Sequence, residues 1–300
     1  MKNAIITLVV IILIGLGVYM FTRDNGEVVV PEGNEITTEN GTQSEQVQDE
    51  TRTVIGQSVE GRDIVAYHYT SDATTTPDTN VLFVGGIHGG YEWNTALVAF
   101  EAMDYFENNP NNIPDNVRVT VIPVLNPDGL NKIVGTSSQF TKAYVRSGVD
   151  TVPGRFNANN VDLNRNFDCD WQAKGTWQDK TVDAGDSVFS EPESRAIRDY
   201  VNANNPDAVI VWYSAAGGVF ASSCHNGVLP ETLALTNAFA KASGYRAYEE
   251  FNFYEITGDM VNWLAKENVP AISVLLTTHT DTEWSKNQKG IDAILEYYAE

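Results

Sequence analysis

Val81-Leu82-Phe83-Val84-Gly85-Gly86-Ile87-His88-Gly89-Gly90-Tyr91-Glu92-Trp93-Asn94 is the stretch that decides the fold. Its first four residues are all apolar, which reads as a strand buried on both faces. Two glycines then turn the chain, and 94–106 carries apolar residues at helical spacing. A strand that feeds a glycine turn and a helix is a building unit of α/β sheets, and such sheets bind ligands at the carboxyl ends of their strands. His88 and Glu92 stand at that end, four residues apart. Histidine and glutamate are two of the three protein donors that a catalytic zinc site uses.

Reading outward, β-branched apolar runs recur at 64–69, 80–85, 117–125, 208–213 and 271–277. Helical spacing recurs at 94–108, 191–204, 231–243, 260–267 and 286–298. Strands alternating with helices predict an α/β fold, a mixed and mostly parallel sheet sandwiched between helices. Ser190-Glu191-Pro192-Glu193 has the form of a capping box with proline in the first turn, a helix start. Asn126-Pro127-Asp128-Gly129 alone reads as a turn. Between Gly129 and Ser190 there is little periodicity, and a long irregular stretch inside a compact domain is usually functional surface. It contains Gly154-Arg155-Phe156-Asn157 and Val161-Asp162-Leu163-Asn164-Arg165-Asn166-Phe167. An Asn-Arg pair can grip a carboxylate, because arginine presents a two-pronged donor; its bland reading is a surface arginine beside an Asx-turn.

The bulk properties exclude some classes. A net charge of −21 and a pI near 4.4 argue against nucleic acid as a partner, which needs clustered Lys and Arg, and against docking on anionic lipid. They fit an extracytoplasmic surface or attraction to cationic peptides. Residues 4–21 carry no charge and lie between Lys2 and Arg23, long enough to cross a bilayer. No Ala-x-Ala site follows, so 1–23 is expected to be an uncleaved membrane anchor with Lys2 inside, the alternative being a secretory signal. Residues 24–50 hold eight acids and no Lys or Arg, the composition of a disordered stalk. Asn40-Gly41-Thr42 there has the form of a glycosylation sequon. The folded domain is expected over 51–300.

Ile55-Gly56-Gln57-Ser58-Val59-Glu60-Gly61-Arg62, Gly86-Ile87-His88 with Glu92-Trp93, Asn126-Pro127-Asp128-Gly129, Val161 to Asn166, Ser190 to Glu193, and Tyr254 with Gly258-Asp259-Met260-Val261-Asn262-Trp263 follow one another over nearly all of 51–300. This series resembles the zinc carboxypeptidase family of the carboxypeptidase A/B type, the funnelins. The resemblance implies an eight-stranded mixed sheet between helices, one zinc ion, and hydrolysis of the C-terminal residue of a peptide, or of a peptidoglycan peptide, by zinc-activated water. It implies His88 and Glu92 as zinc ligands, with Asp162 orienting the His88 ring. Asn164 and Arg165 would hold the terminal carboxylate, and Tyr254 would close over the bound residue. Arg155 would polarise the scissile carbonyl, with Arg146 the competing candidate. Val261, beside Met260, would set a preference for a neutral or apolar terminal residue. Cys169 and Cys224 fall beside segments at the implied rim, where they form either a disulfide or two buried thiols.

The chain departs from the family pattern at three points. Three residues rather than two separate His88 from Glu92. The position of the third zinc ligand, a histidine, holds Tyr213, whose phenol must lose a proton with an ordinary pKa of ~10 before it can serve. The position of the general base, a glutamate, holds Leu275, and loss of a general base typically costs ~10²–10⁴ in rate. Glu283, Glu255 and His225 are the nearest substitutes in sequence. Three readings follow: an anchored carboxypeptidase, a degenerate relative that binds peptide or cell-wall peptide ends without cleaving them, and a structural surface module with an idle cleft. Trp171 and Trp177 read as cleft wall or core cover. His68 reads as a sheet-surface residue, and His279 as a bystander past the last strand.

Overall fold

The computed structural model describes residues 51–71 and 76–299; the expected anchor and stalk lie outside them. The chain forms β1 (Arg52–Gln57), β2 (Asp63–Tyr69), β3 (Thr79–Val84), α1 (Trp93–Asn108), β4 (Val117–Ile122), α2 (Pro127–Val134), β5 (Lys174–Trp177), β6 (Lys180–Asp183), α3 (Pro192–Asn204), β7 (Ala208–Ser214), β8 (Gly218–Ala221), α4 (Pro230–Ser243), β9 (Arg246–Tyr248), α5 (Met260–Lys266), β10 (Ala271–Leu276) and α6 (Trp284–Tyr297). Eight strands make one sheet in the order β1-β2-β4-β3-β7-β10-β8-β9, and β5 pairs with β6 as a separate hairpin. The four central strands β4, β3, β7 and β10 run parallel, and β1, β2 and β8 are antiparallel to their neighbours toward the centre.

The continuous apolar runs have a physical reason. Two cores cover the two faces of the sheet, and successive side chains of one strand enter different cores. Val81, Phe83, Ile210, Trp212, Ile272 and Val274 pack with α1, α4 and α6. Leu82, Val84, Val209, Val211, Tyr213 and Leu275 pack with α3 and α5. All seven residues of β7 are buried. Tyr213 and Leu275 therefore share a face, which fixes both at the same side of the strand ends.

Two local expectations need correction. Asn126-Pro127-Asp128-Gly129 is not a bare turn: the Asn126 side chain accepts from the Gly129 N–H, Pro127 opens α2, and Gly135 ends it at φ 85°. The capping box at Ser190 does not form. Glu191 takes the cap position of α3 without a side-chain bond, while the Glu193 carboxylate accepts from the Val59 N–H and Asn157 Nδ2. A tertiary network outcompetes the local cap there. Sequence pattern also passed over β1, β8 and β9, which are short or half-exposed, and the β5–β6 hairpin inside the irregular stretch.

Candidate active site

The strand register assembles the site. β3 leads into the loop that carries His88 and Glu92, β7 ends at Tyr213 and Ser214, and Leu275 of β10 pairs directly with Tyr213. The 85–92 loop turns tightly because it has no side chain where backbone comes close. A Cβ on Gly89, whose φ is 43°, would stand 2.7 Å from the Gly154 carbonyl, and one on Gly90 would stand 2.4 Å from the Ile133 side chain. The additional residue between His88 and Glu92 is absorbed in this turn, and the two side chains still meet. His88 Nδ1 lies 3.1 Å from Glu92 Oε1, and Nε2 lies 3.4 Å from Asp162 Oδ1. Both ring nitrogens are buried, and neither closes a well-formed hydrogen bond with a described residue.

Arg155 crosses the same floor. Its Nε and Nη2 donate to Asp162 Oδ2 at 2.9 and 2.8 Å, and Nη1 lies 3.8 Å from Glu92 Oε1. The guanidinium also covers the Trp177 ring at 4.4 Å, which makes that tryptophan a cleft wall. Burial works against charge on Asp162, but the Arg155 guanidinium first, then His88 and Arg165, hold its carboxyl well below the usual range. Arg146 is exposed and far from this floor in role: it does not line the cleft.

Asn164 and Arg165 lie on a single 3-10 turn, Leu163–Arg165, capped by Asp162, whose side chain accepts from the Asn164 N–H. The Asn164 amide is engaged at both ends. Its Oδ1 accepts from the Tyr213 hydroxyl at 3.3 Å and the Met260 N–H at 3.1 Å, and Nδ2 donates to Asp259 Oδ2 at 2.8 Å. Arg165 gives Nε and Nη2 to the Thr176 carbonyl and Nη1 to its neighbour's carbonyl, three of the five N–H donors of a guanidinium. Tyr254 and Val261 join these residues around a cavity of about 520 Å³. The Tyr254 hydroxyl has no hydrogen-bond partner among the described residues, and burial raises its pKa.

Tyr213 is fully enclosed here. Burial first, then the charges of Asp259 and Glu92, push its phenol well above its ordinary pKa, so it stays protonated and donates to Asn164. Leu275 lines the cavity beside it. Glu283 is corrected as a substitute base. Its carboxylate accepts from the Thr277 N–H, Thr277 Oγ1, Tyr245 and Lys286, and it does not line the cleft. Glu255 lines the cleft but is exposed, and His225 pairs with Asp170 at the rim. Cys169 and Cys224 are joined as a disulfide. His68 bonds Thr53 and Thr120 on the sheet, away from the cleft.

Two cleft residues were named in the sequence but given no role in the site. His279 lines the cavity, packs on Tyr91 with ring centroids 4.7 Å apart, and shares the Ser214 hydroxyl through Nδ1 at 2.9 Å. Its place just after β10, at the carboxyl end of a central strand, was the available signal. Asp259 caps α5 through the Asn262 N–H, lies buried under the cavity, and has its pKa raised by that burial. The sequence carried it only as part of the motif that bears the resemblance, with no role of its own.

The sequence profile of the family described as zinc carboxypeptidase matches residues 42–292. The chain belongs to the zinc carboxypeptidase family. Among curated zinc carboxypeptidase relatives, carboxypeptidase Z of Rattus norvegicus is 30% identical over 121 residues, 38% of this chain and 17% of that protein. Metallocarboxypeptidase A of Trichophyton tonsurans is 30% identical over 127 residues, 40% of this chain and 28% of that one. The matched part thus spans less than a third of either relative. Solved structures share the fold. The murein-tripeptide amidase MpaA from Escherichia coli O157 superposes with a TM-score of 0.58 at 20% identity, over 83% of this chain and 92% of that one. Carboxypeptidase A from Helicoverpa armigera gives 0.60 at 21%, over 83% and 67%.

The family implies zinc as cofactor, and the residues present fit it in part. His88 Nδ1 and Glu92 Oε1 converge at a separation suited to two ligands of one ion, and neither ring nitrogen closes a hydrogen bond among the described residues. A third protein donor does not join them. Tyr213 is a protonated phenol turned to Asn164. Among the described residues, the one cluster of three His, Cys, Asp or Glu donors is Cys169, Asp170 and Cys224, at the rim.

Proposed function

We propose that this domain recognises the free C-terminal end of peptides without efficiently cleaving it. The observation that carries the reading is that Tyr213 and Leu275, the residues the resemblance aligns with the family's third ligand and base, stand side by side in a cleft that keeps Arg155, Arg165 and Tyr254. His88 and Glu92 would hold zinc. Bound zinc supplies Lewis acidity to such a cleft. With two protein donors the hold is weak, and no carboxylate replaces Leu275 in the family's place for proton transfer.

The chain's own groups support binding. The two N–H donors that Arg165 keeps free of backbone carbonyls, the unengaged Tyr254 hydroxyl and the Arg155 Nη1 can meet a carboxylate and a carbonyl. Val261 and the aromatic Phe251 and Phe253 offer an apolar wall to the terminal side chain. The murein-tripeptide amidase among the fold neighbours brings peptidoglycan peptides into the candidate class. The uncharged segment 4–21 supports an extracytoplasmic, membrane-anchored or secreted setting, and the disulfide suits an oxidising compartment.

The test pairs binding with cleavage. The full chain is titrated with peptides bearing a free or amidated C-terminus, and incubated with zinc and a diverse peptide pool read by mass spectrometry. Saturable binding lost on amidation, with no trimming, is expected. Equal affinity for the amidated peptides removes the reading, and chelator-sensitive trimming replaces it with an active carboxypeptidase.

A further inference from the structure

Two dipeptides face each other at the cleft mouth, Cys169-Asp170 and Cys224-His225. Asp170 and His225 both adopt left-handed backbone, at φ 52° and 59°. One Asp170 oxygen, Oδ2, lies 3.8 Å from Cys169 Sγ, and the other, Oδ1, lies 2.9 Å from His225 Nε2. The two sulfurs and the Asp170 carboxylate all fall within 4.8 Å of one another.

We propose that this rim is a redox-gated binding site for a thiophilic divalent cation of the zinc type. In the oxidised chain the two sulfurs bond each other and the site is closed. A dithiol reductant delivers two electrons and two protons by thiol–disulfide exchange, leaving two thiols here and a disulfide on the reductant. The cation then binds both sulfurs as thiolates, with release of two protons, and takes Asp170 as a third ligand. His225 donates to the other Asp170 oxygen and fixes that carboxylate, the part a second partner plays around metal ligands. Two thiolates and a carboxylate leave one tetrahedral position open, on the side of the cavity that all four residues line. The sulfurs need to part to about 3.8 Å for Zn–S bonds of about 2.3 Å. With Cα atoms 6.2 Å apart, a change of side-chain rotamer achieves this. This inference does not depend on whether the cleft cleaves or only binds.

Cobalt(II) reports the site without any activity assay. The full chain is reduced on an immobilised dithiol resin, freed of reductant under anaerobic conditions, and titrated with cobalt(II), with near-ultraviolet circular dichroism monitoring the fold. The reduced chain is expected to take up a metal equivalent with intense thiolate-to-cobalt absorption that the oxidised chain lacks. Cys169→Ser abolishes the band. His225→Ala weakens binding about 10–100-fold, the usual effect of losing an outer-shell partner. A reduced chain that keeps its fold and shows no thiolate band overturns the proposal. So does a reduced chain that unfolds and is not restored by metal, because the site requires the fold. Retention of the band in Cys169→Ser, with one rim thiol gone, also overturns it.

Discussion

Tyr213→His tests the reading of the cleft most directly. In the metal-free chain the change costs stability: it removes the bond from the Tyr213 hydroxyl to Asn164 Oδ1, about 1 kcal/mol, and part of a buried ring, roughly another 1–2 kcal/mol. In return it sets a second imidazole on β7, on the face that carries the cavity. Three protein donors are what zinc sites of this class use. With free zinc about 100 times its dissociation constant, the variant gains ~2.7 kcal/mol. For a domain of this size that raises Tm by roughly 5–11 °C. Removal of even an outer-shell partner costs about 10–100-fold in metal affinity, and a missing direct ligand costs at least as much. The wild type at the same zinc concentration then sits at about ten times its own dissociation constant or less. It gains about 1.4 kcal/mol or less, a shift of roughly 6 °C or less. Differential scanning calorimetry of the oxidised chain, with the rim disulfide intact, measures both. A wild-type shift as large as the variant's refutes the argument, since a third donor would then come from elsewhere. If that donor were the Tyr213 phenolate, zinc affinity would climb steeply with pH, because burial holds the phenol well above its ordinary pKa.

Three further outcomes follow from the same geometry. Asp162→Asn leaves the buried Arg155 guanidinium without its counter-charge, and chemical denaturation should show a loss of about 3–5 kcal/mol; a loss under about 1 kcal/mol would mean that Arg155 finds another partner. His279 is held below its ordinary pKa, chiefly by burial. The folded chain then binds fewer protons than the unfolded one below about 6.5, so this histidine contributes stability above that value that is lost as pH falls through its folded pKa. NMR should find the ring titrating below 6.5, and His279→Gln should flatten that part of the acid slope. Gly129→Ala would push a Cβ to 2.4 Å from the Gly154 carbonyl and 2.6 Å from the Asn126 side chain, and thermal unfolding should report a loss of roughly 1–3 kcal/mol.

The sequence made the central strands legible because they are covered on both faces, and four of them are runs of Val, Ile, Leu and their like. The edge strands β1 and β9 carry exposed positions and no such run, so pairing alone defines them. His88, Glu92, Asp162, Asn164 and Arg165 were legible as motif residues, and the fold does bring them together, Asp162 beneath the cavity against His88 and Arg155. Their wiring was not. That Asn164 is held by Tyr213, Met260 and Asp259 depends on two segments about fifty and a hundred residues away. His279 and Asp259 were given no role for the same reason: the signal for each is a position at a strand or helix end, which single residue types do not announce.

Which residues argue for binding rather than for folding can be separated by what they already hold. Arg155 and Asp162 satisfy each other in the interior, so stability alone accounts for both. Asn164 ties three segments together and needs no ligand to explain it. Tyr254 is different. Its ring is half-buried, its hydroxyl has no partner among the described residues, and it stands at the cavity. Tyr254→Phe should therefore leave the melting temperature nearly unchanged and weaken capture of a free-carboxylate peptide by roughly 0.5–1.5 kcal/mol, a typical hydrogen bond. A variant that binds as well as the wild type would remove Tyr254 from the clamp and leave Arg165's remaining N–H donors as its core.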